Sequence, residues 1–222
     1  MFVISLGGSL ICPDEIDIAF LHPLRELVLS YVEKGAKFAL ICGGGGVARK
    51  YQEAASKLAP LSDGQKDWLG IEATRMNAML LHSIFPKELT FGKLVSDPSE
   101  TITTNAKIIV CCGWKPGHST DYDAVLLAKQ FGTGVINLTN TEYVYDKDPK
   151  KYADAKPLKS VSWKEFRTLV GSDWKPGMNA PFDPIAAKEA EASGLKVTLA
   201  GKDLQNLRNI LDGKAFKGTT IS

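Results

Sequence analysis

The 222-residue chain has four cysteines, three histidines and no apolar run approaching the ~18 residues that cross a bilayer. Cys12, Cys42, Cys111 and Cys112 make no C-x-x-C pair, so the paired-thiolate spacing of zinc sites is missing. Three of the four lie in apolar runs, which predicts buried, reduced thiols in strands. An excess of one charge is also missing. Lys plus Arg is 27 and Asp plus Glu is 25, a net charge of +2. That balance gives no support to a dedicated nucleic-acid or membrane-surface protein, which carries a strong basic excess. There is no Gly-x-x-x-x-Gly-Lys-Ser/Thr, which excludes a P-loop NTPase, and the protein-kinase signatures are absent. No repeat, low-complexity tract or long linker occurs. The opening Met1-Phe-Val-Ile-Ser lacks a basic n-region and a cleavage signal, so a cytoplasmic location is expected.

What the chain does have is core and glycine. Hydrophobic residues are 44%, and a chain of this length buries roughly 70% of its unfolded surface without a disulfide or metal. Phe2–Leu6, Phe38–Cys42, Lys107–Cys112, Val135–Leu138 and Leu195–Ala200 read as buried strands. Between them lie amphipathic stretches. Leu21, Leu24, Leu27, Val28, Tyr31 and Val32 recur at helical spacing and end before Gly35. Helices are also expected over about 47–58, 65–85 (stopped by Pro86) and 121–131. Ser162-Trp-Lys-Glu165 is a capping box, Asp183-Pro184 an N-cap with proline at the first helical position, and Asp203 to Leu211 a last helix. Strand–helix alternation predicts an α/β fold: a mainly parallel sheet with helices on both faces. The segments after Pro86 and from Tyr145 to Val161 break the rhythm and are expected to carry hairpins.

Several of the 20 glycines sit at strand ends. The first strand ends in Gly7-Gly8-Ser9, the second in Gly43 to Gly46 with Arg49 one turn on, and the third in Gly113 before Pro116-Gly-His-Ser-Thr-Asp121. The fourth ends in Thr139-Asn140. Ligands of open parallel sheets gather at these carboxyl ends. Glycine lets backbone amides approach an anion, and a helix N-terminus adds partial positive charge. Several such exits meeting in one crevice point to phosphates. Gly43-x-Gly45-x-x-Ala48 also fits the loose dinucleotide fingerprint, but it follows the second strand.

Gly43-Gly-Gly-Gly-Val-Ala-Arg-Lys-Tyr51 resembles the first nucleotide loop of archaeal-type uridylate (UMP) kinases of the amino-acid-kinase superfamily. So do Asp67-Trp-Leu-Gly-Ile-Glu-Ala-Thr-Arg-Met-Asn-Ala78, Pro116–Asp121, Thr139-Asn140 with Tyr145-Asp-Lys-Asp-Pro149, Asp183–Lys188 and Gly218-Thr-Thr-Ile221. The pieces keep the family's order over nearly the whole chain. The resemblance implies a three-layer α/β/α sandwich forming a single domain over 1–222. Its part over about 1–130 would bind UMP, and its part over about 131–222 would bind ATP. The reaction implied is transfer of the ATP γ-phosphoryl group to UMP with Mg²⁺, in a homohexamer built from dimers. The apolar face of the 65–85 helix is a candidate for either the dimer surface or the core.

By this resemblance Gly44, Asp67 and the loop Trp114, Lys115, Pro116, Gly117, His118, Ser119 and Thr120 would bind UMP. Asp67 would accept from the ribose hydroxyls, since a carboxylate can take two hydrogen bonds. Gly8, Ser9, Gly45, Arg49, Thr139, Asn140, Tyr145 and Asp148 would bind ATP. Asp121, Lys175 and Arg49 would form the catalytic set, with Asp121 orienting cations and Lys175 bridging phosphates. No protein metal site is expected beyond Mg²⁺ carried with ATP.

Two departures stand out. Many relatives carry lysine on the first strand where this chain has Ser5. The family usually reads Thr-Asn-Val-Asp-Gly-Val-Tyr where this chain reads Thr139-Asn-Thr-Glu-Tyr-Val-Tyr145, so Tyr143 replaces glycine. A glycine with positive φ there would leave tyrosine strained or on a different path. These departures keep open a nucleotide-binding or storage relative without catalysis; a related small-acceptor kinase of the same fold is the other alternative, and Asp67 with Thr74-Arg-Met-Asn77 argues against it. Trp68, Trp163 and Trp174 are expected in the core or at its rim.

Overall fold

A computed structural model describes residues 1–171 and 180–222. In chain order its elements are β1 (Phe2–Leu6), α1 (Gly8–Ile11), α2 (Ile18–Glu33), β2 (Phe38–Cys42), α3 (Gly45–Leu58) and α4 (Asp63–Ile84). Then come β3 (Ile108–Cys111), α5 (Thr120–Phe131), β4 (Val135–Leu138), β5 (Val144–Tyr145), β6 (Pro157–Leu158) and β7 (Ser160–Val161). The chain closes with α6 (Trp163–Val170), α7 (Pro184–Ala192), β8 (Val197–Ala200), α8 (Leu204–Leu211) and β9 (Thr219–Ile221).

Seven strands form one sheet in the order β3-β2-β1-β4-β8-β9-β7. The first five run parallel; β9 is antiparallel to β8, and β7 is parallel to β9. β2 is a continuous apolar run and β1 is interrupted only by Ser5, because helices cover both sheet faces. The pleat divides each strand between two cores. Ile4, Leu6, Phe38 and Leu40 pack with Leu24 and Val28 of α2, Leu81 of α4 and Leu207 of α8. Val3, Ala39 and Ile41 pack with Val125 of α5, Phe166 of α6 and Ala187 of α7 on the other face. All four cysteines are buried and free; Cys42 and Cys111 lie in strands, while Cys12 follows α1 and Cys112 ends just past β3.

The chain winds outward from β1 to β2 and β3, then returns to lay β4 on the other side of β1. The crevice between the carboxyl ends of β1 and β4 is therefore the topological switch point, where such sheets bind ligands. Gly8–Ser9 and Thr139–Asn140 leave the sheet there.

Local signals hold well. Ser162 and Glu165 form the reciprocal capping box of α6. Asp183 caps α7 with Pro184 at its first turn, and Gly35 takes φ 91° beyond α2. One of the two expected hairpins forms, as β5 pairs antiparallel with β6. The segment after Pro86 does not fold as one. Thr90 and Val95 instead bridge in parallel to Ile108 and Cys111. His82 Nε2 lies 2.8 Å from Phe91 O, and this segment covers the edge of β3, which would otherwise expose unpaired backbone groups.

Candidate active site

The glycine-rich exits of β1 and β2 touch each other. A Cβ on Gly8 would lie 2.1 Å from Gly45 N, and one on Gly45, where φ is 60°, would lie 2.2 Å from Gly8 O. Side chains are excluded at both positions, so these glycines allow two backbones to meet as well as leaving amides bare. Asn77 of α4 fixes this junction, its Nδ2 donating to Gly43 O at 2.7 Å and to Gly44 O at 3.3 Å. Thr74, one turn earlier, accepts from Gly113 N at 2.7 Å and donates to Ile71 O. The core face of α4 thus carries two polar anchors for the exits of β2 and β3.

A cavity of about 560 Å³ opens over these exits. Gly8, Ser9, Gly44, Gly45, Arg49 and Asp67 line one side, and His118, Ser119, Thr120, Thr139 and Asn140 the other. Arg49 is exposed in the first turns of α3, and its Nη2 donates to Pro13 O at 3.0 Å. Asp67 Oδ2 accepts from Gly117 N at 2.8 Å, which ties the 113–119 loop to α4. Trp114, Lys115, Pro116 and Gly117 stand behind this wall rather than lining it. Trp114 donates its amide to Asp123 Oδ2 at 3.2 Å, and Lys115 Nζ sits 3.7 Å from the centre of the Trp114 ring. His118 packs between Trp114 and Tyr122 and turns Nδ1 toward Pro116 O at 3.4 Å. Ser119 is the N-cap of α5, accepting from Tyr122 N.

A second cavity, about 380 Å³, adjoins the first. Tyr145 and Asp148 line it with Tyr143, Leu169 and Pro181. Thr139 and Asn140 line both cavities. Asp148 also accepts from Lys150 N at 2.9 Å, shaping the turn after β5. Tyr143 takes no strained conformation, since no non-glycine residue among those described has positive φ. The loop follows an ordinary path without the glycine.

Three carboxyls gather beneath the cavities. Asp121 Oδ1 accepts from Ser5 Oγ at 3.0 Å, and its Oδ2 from Asp183 N at 3.2 Å. Burial, and next the charge of Asp183, push Asp121 up to about 6. Asp123 is almost fully buried, and burial pushes it up to about 8 against the pull of the Trp114 amide. Among the described residues its Oδ1 has no partner. Asp183 is raised by burial, which outweighs the Ile185 and Ala186 amides it caps. Lys175, expected to bridge phosphates, lies outside the described residues, as does Trp174. Among the described residues no group of three or more His, Cys, Asp or Glu is placed to hold a metal ion.

Sequence reasoning singled out the cavity walls and missed what supports them: Ser5 as a partner of Asp121, Thr74 and Asn77 as anchors, Gln52 on the cavity wall, and Asp123 behind the loop. For Thr74 and Asn77 a signal existed. They fall at core-facing positions of α4, in step with Ile71, Ala78 and Leu81, where polar residues need a buried partner.

The amino acid kinase family matches residues 1–201. A uridylate kinase of Pyrococcus abyssi is 38% identical over 224 residues, covering 99% of this chain and 98% of its own. One from Thermoplasma volcanium is 36% identical over 221 residues, covering 99% and 96%. Among solved structures, the uridylate kinase of Archaeoglobus fulgidus has a TM-score of 0.84 at 32% identity, over 100% of both chains. The UMP kinase of Bacillus anthracis, with a TM-score of 0.80 at 19% identity over 99% of this chain and 94% of its own, shares the fold.

Proposed function

The chain belongs to the amino acid kinase family and is a phosphotransferase of its uridylate kinase branch; we propose that it moves the ATP γ-phosphoryl group to UMP between the two cavities that share Thr139 and Asn140. That shared wall carries the reading. UMP occupies the cavity of Gly44 and Asp67, ATP the cavity of Tyr145 and Asp148, and the phosphates meet at the β1–β4 crevice. The acceptor half is thus about 1–130 and the donor half about 131–222 of one domain.

A UMP phosphate oxygen attacks the γ-phosphorus, the bond to the β,γ-bridging oxygen breaks, and ADP leaves with that electron pair. The attacking phosphate is largely ionised near neutral pH, its second pKa being ~6, so no general base is needed. Catalysis then consists of positioning and charge neutralisation. The amides of Gly8, Ser9, Gly44 and Gly45 face the phosphates, with the N-terminus of α3 adding its partial charge. Arg49 exchanges Pro13 O for a phosphate oxygen. Asp67 accepts from the ribose hydroxyls, while His118, Ser119 and Thr120 close over the acceptor. Asp121 holds the cationic groups in register, with Lys175 as the bridging cation. Mg²⁺ fits this donor set as a partner of the triphosphate rather than of a protein cage, because it keeps waters and binds through phosphates with few carboxylates. Bound there, it neutralises charge on the β- and γ-phosphates.

A homodimer is expected through the outer face of α3 and α4. Trp68, Met76 and Met79 are 50%, 68% and 51% exposed along one stripe of α4, and Tyr51 and Leu58 add to it from α3. Three such dimers make the hexamer the resemblance implies. Among the described residues no helix is long and apolar enough to cross a membrane, which accords with a cytoplasmic enzyme.

The test is ADP release from Mg-ATP with a panel of nucleoside monophosphates. UMP should be the best acceptor, and turnover on another acceptor with none on UMP would sink the assignment.

A further inference from the structure

Tyr143 stands where the resembled family carries glycine, and its position gives the substitution a use. Tyr143 leads into β5, which Val144 and Tyr145 form. Val144 is 2% exposed and joins the core of α5 and α7. Tyr143 and Tyr145, which flank it in the chain, both line the 380 Å³ cavity. Their ring centroids are 6.4 Å apart and their planes stand at 80°. Two perpendicular rings make a corner. A planar base stacked on one ring meets the other edge to face, and both arrangements are favourable for aromatic systems.

We propose that Tyr143 binds the base of the nucleoside triphosphate donor, completing with Tyr145 an aromatic corner. This rests on the reading of that cavity as the ATP site. The binding acts through the π-face, which every base possesses, so it is nearly independent of which base the donor carries.

The test uses the full chain with Mg-ATP and, separately, Mg-GTP, with inorganic triphosphate as a base-free competitor. Tyr143→Ala should raise KM for ATP and for GTP by about tenfold each, within the range for loss of one base–aromatic stack. KM for UMP and the inhibition constant of triphosphate should stay within about twofold, since neither involves the corner. Tyr143→Phe keeps the ring and should bring KM for ATP back toward the wild-type value. An unchanged KM for ATP in Tyr143→Ala, with a raised one in Tyr145→Ala, would remove Tyr143 while leaving the donor cavity in place. Weaker triphosphate inhibition in parallel with KM would assign the effect to loop geometry and overturn the proposal. If both alanine variants raise KM for UMP instead, the reading of the cavity as the donor site fails.

Discussion

Ser5 Oγ donates to Asp121 Oδ1 across 3.0 Å. The bond joins the first strand to the first turn of α5 on the sheet face opposite Ile4 and Leu6. Where many relatives have a lysine, this chain has a hydroxyl that cannot neutralise the carboxyl. Burial, and next the charge of Asp183, outweigh the lowering effect of the Ser5 bond and hold Asp121 at about 6 in the free protein. Cations brought by substrate are expected to draw it back to the ionised form.

Asp121→Asn removes that charge without removing volume. The expected result is a fall in kcat of about 10²-fold or more, the scale for lost transition-state electrostatics, with KM for UMP within about twofold. Steady-state kinetics check it. An unchanged kcat would take Asp121 out of the catalytic set.

Asp67 accepts from Gly117 N, and in the proposed complex it also accepts from the ribose diol. Asp67→Asn should raise KM for UMP by roughly 10- to 100-fold, as for losing hydrogen bonds to a charged group. The wild type should also prefer UMP to 2′-deoxy-UMP, and the variant should narrow that gap. An equal loss on both acceptors would mean that Asp67 holds the loop alone.

Asp123 sets a pH dependence of stability. Its folded pKa of about 8 lies above the ~3.9 of an unfolded aspartate. The folded chain therefore holds a proton that the unfolded chain has lost. This stabilisation is complete below about pH 4 and is lost as pH rises toward 8. Asp121 adds to the loss up to about pH 6. Asp123→Asn keeps an acceptor for the Trp114 amide and cannot ionise. Its Tm should exceed that of the wild type at pH 8.5 by more than at pH 5. Thermal unfolding without substrate measures this, and parallel pH profiles would contradict it.

Asn77→Ala removes the side-chain donor to Gly43 O, while Gly44 O keeps the Ala48 amide. Loss of such a buried hydrogen bond costs about 1–3 kcal/mol, or roughly 2–4 °C of Tm per kcal/mol for a chain of this size. In the proposed complex the junction of the β1 and β2 exits lies between the two substrates, so kcat/KM should fall for both. Calorimetry and kinetics on one preparation test the pair of effects.

Much of the frame was legible because its causes are local. The runs in β1 and β2, Gly35 beyond α2, and the caps at Ser162 and Asp183 act within a few residues. α1, with four residues, and β5 to β7, with two each, are too short to show a period. The path after Pro86 depends on the exposed edge of β3, which no local pattern reveals. At the site, the exits and their glycines were legible, but the Gly8–Gly45 contact shows that the glycines also serve packing. Ser5 was read as a missing lysine; its partner is 116 residues away, a distance that spacing arguments cannot cross. The long helix was offered as either dimer surface or core, and α4 presents Ile71 and Leu81 inward while exposing Met76 and Met79.

The most direct test of the account is the rate of UDP formation from UMP and Mg-ATP by the purified chain, beside calorimetric binding of each nucleotide. The account predicts binding of both and sustained turnover despite Ser5 in place of lysine. Binding of both with no UDP formed would contradict it and mark a nucleotide-binding relative without catalysis.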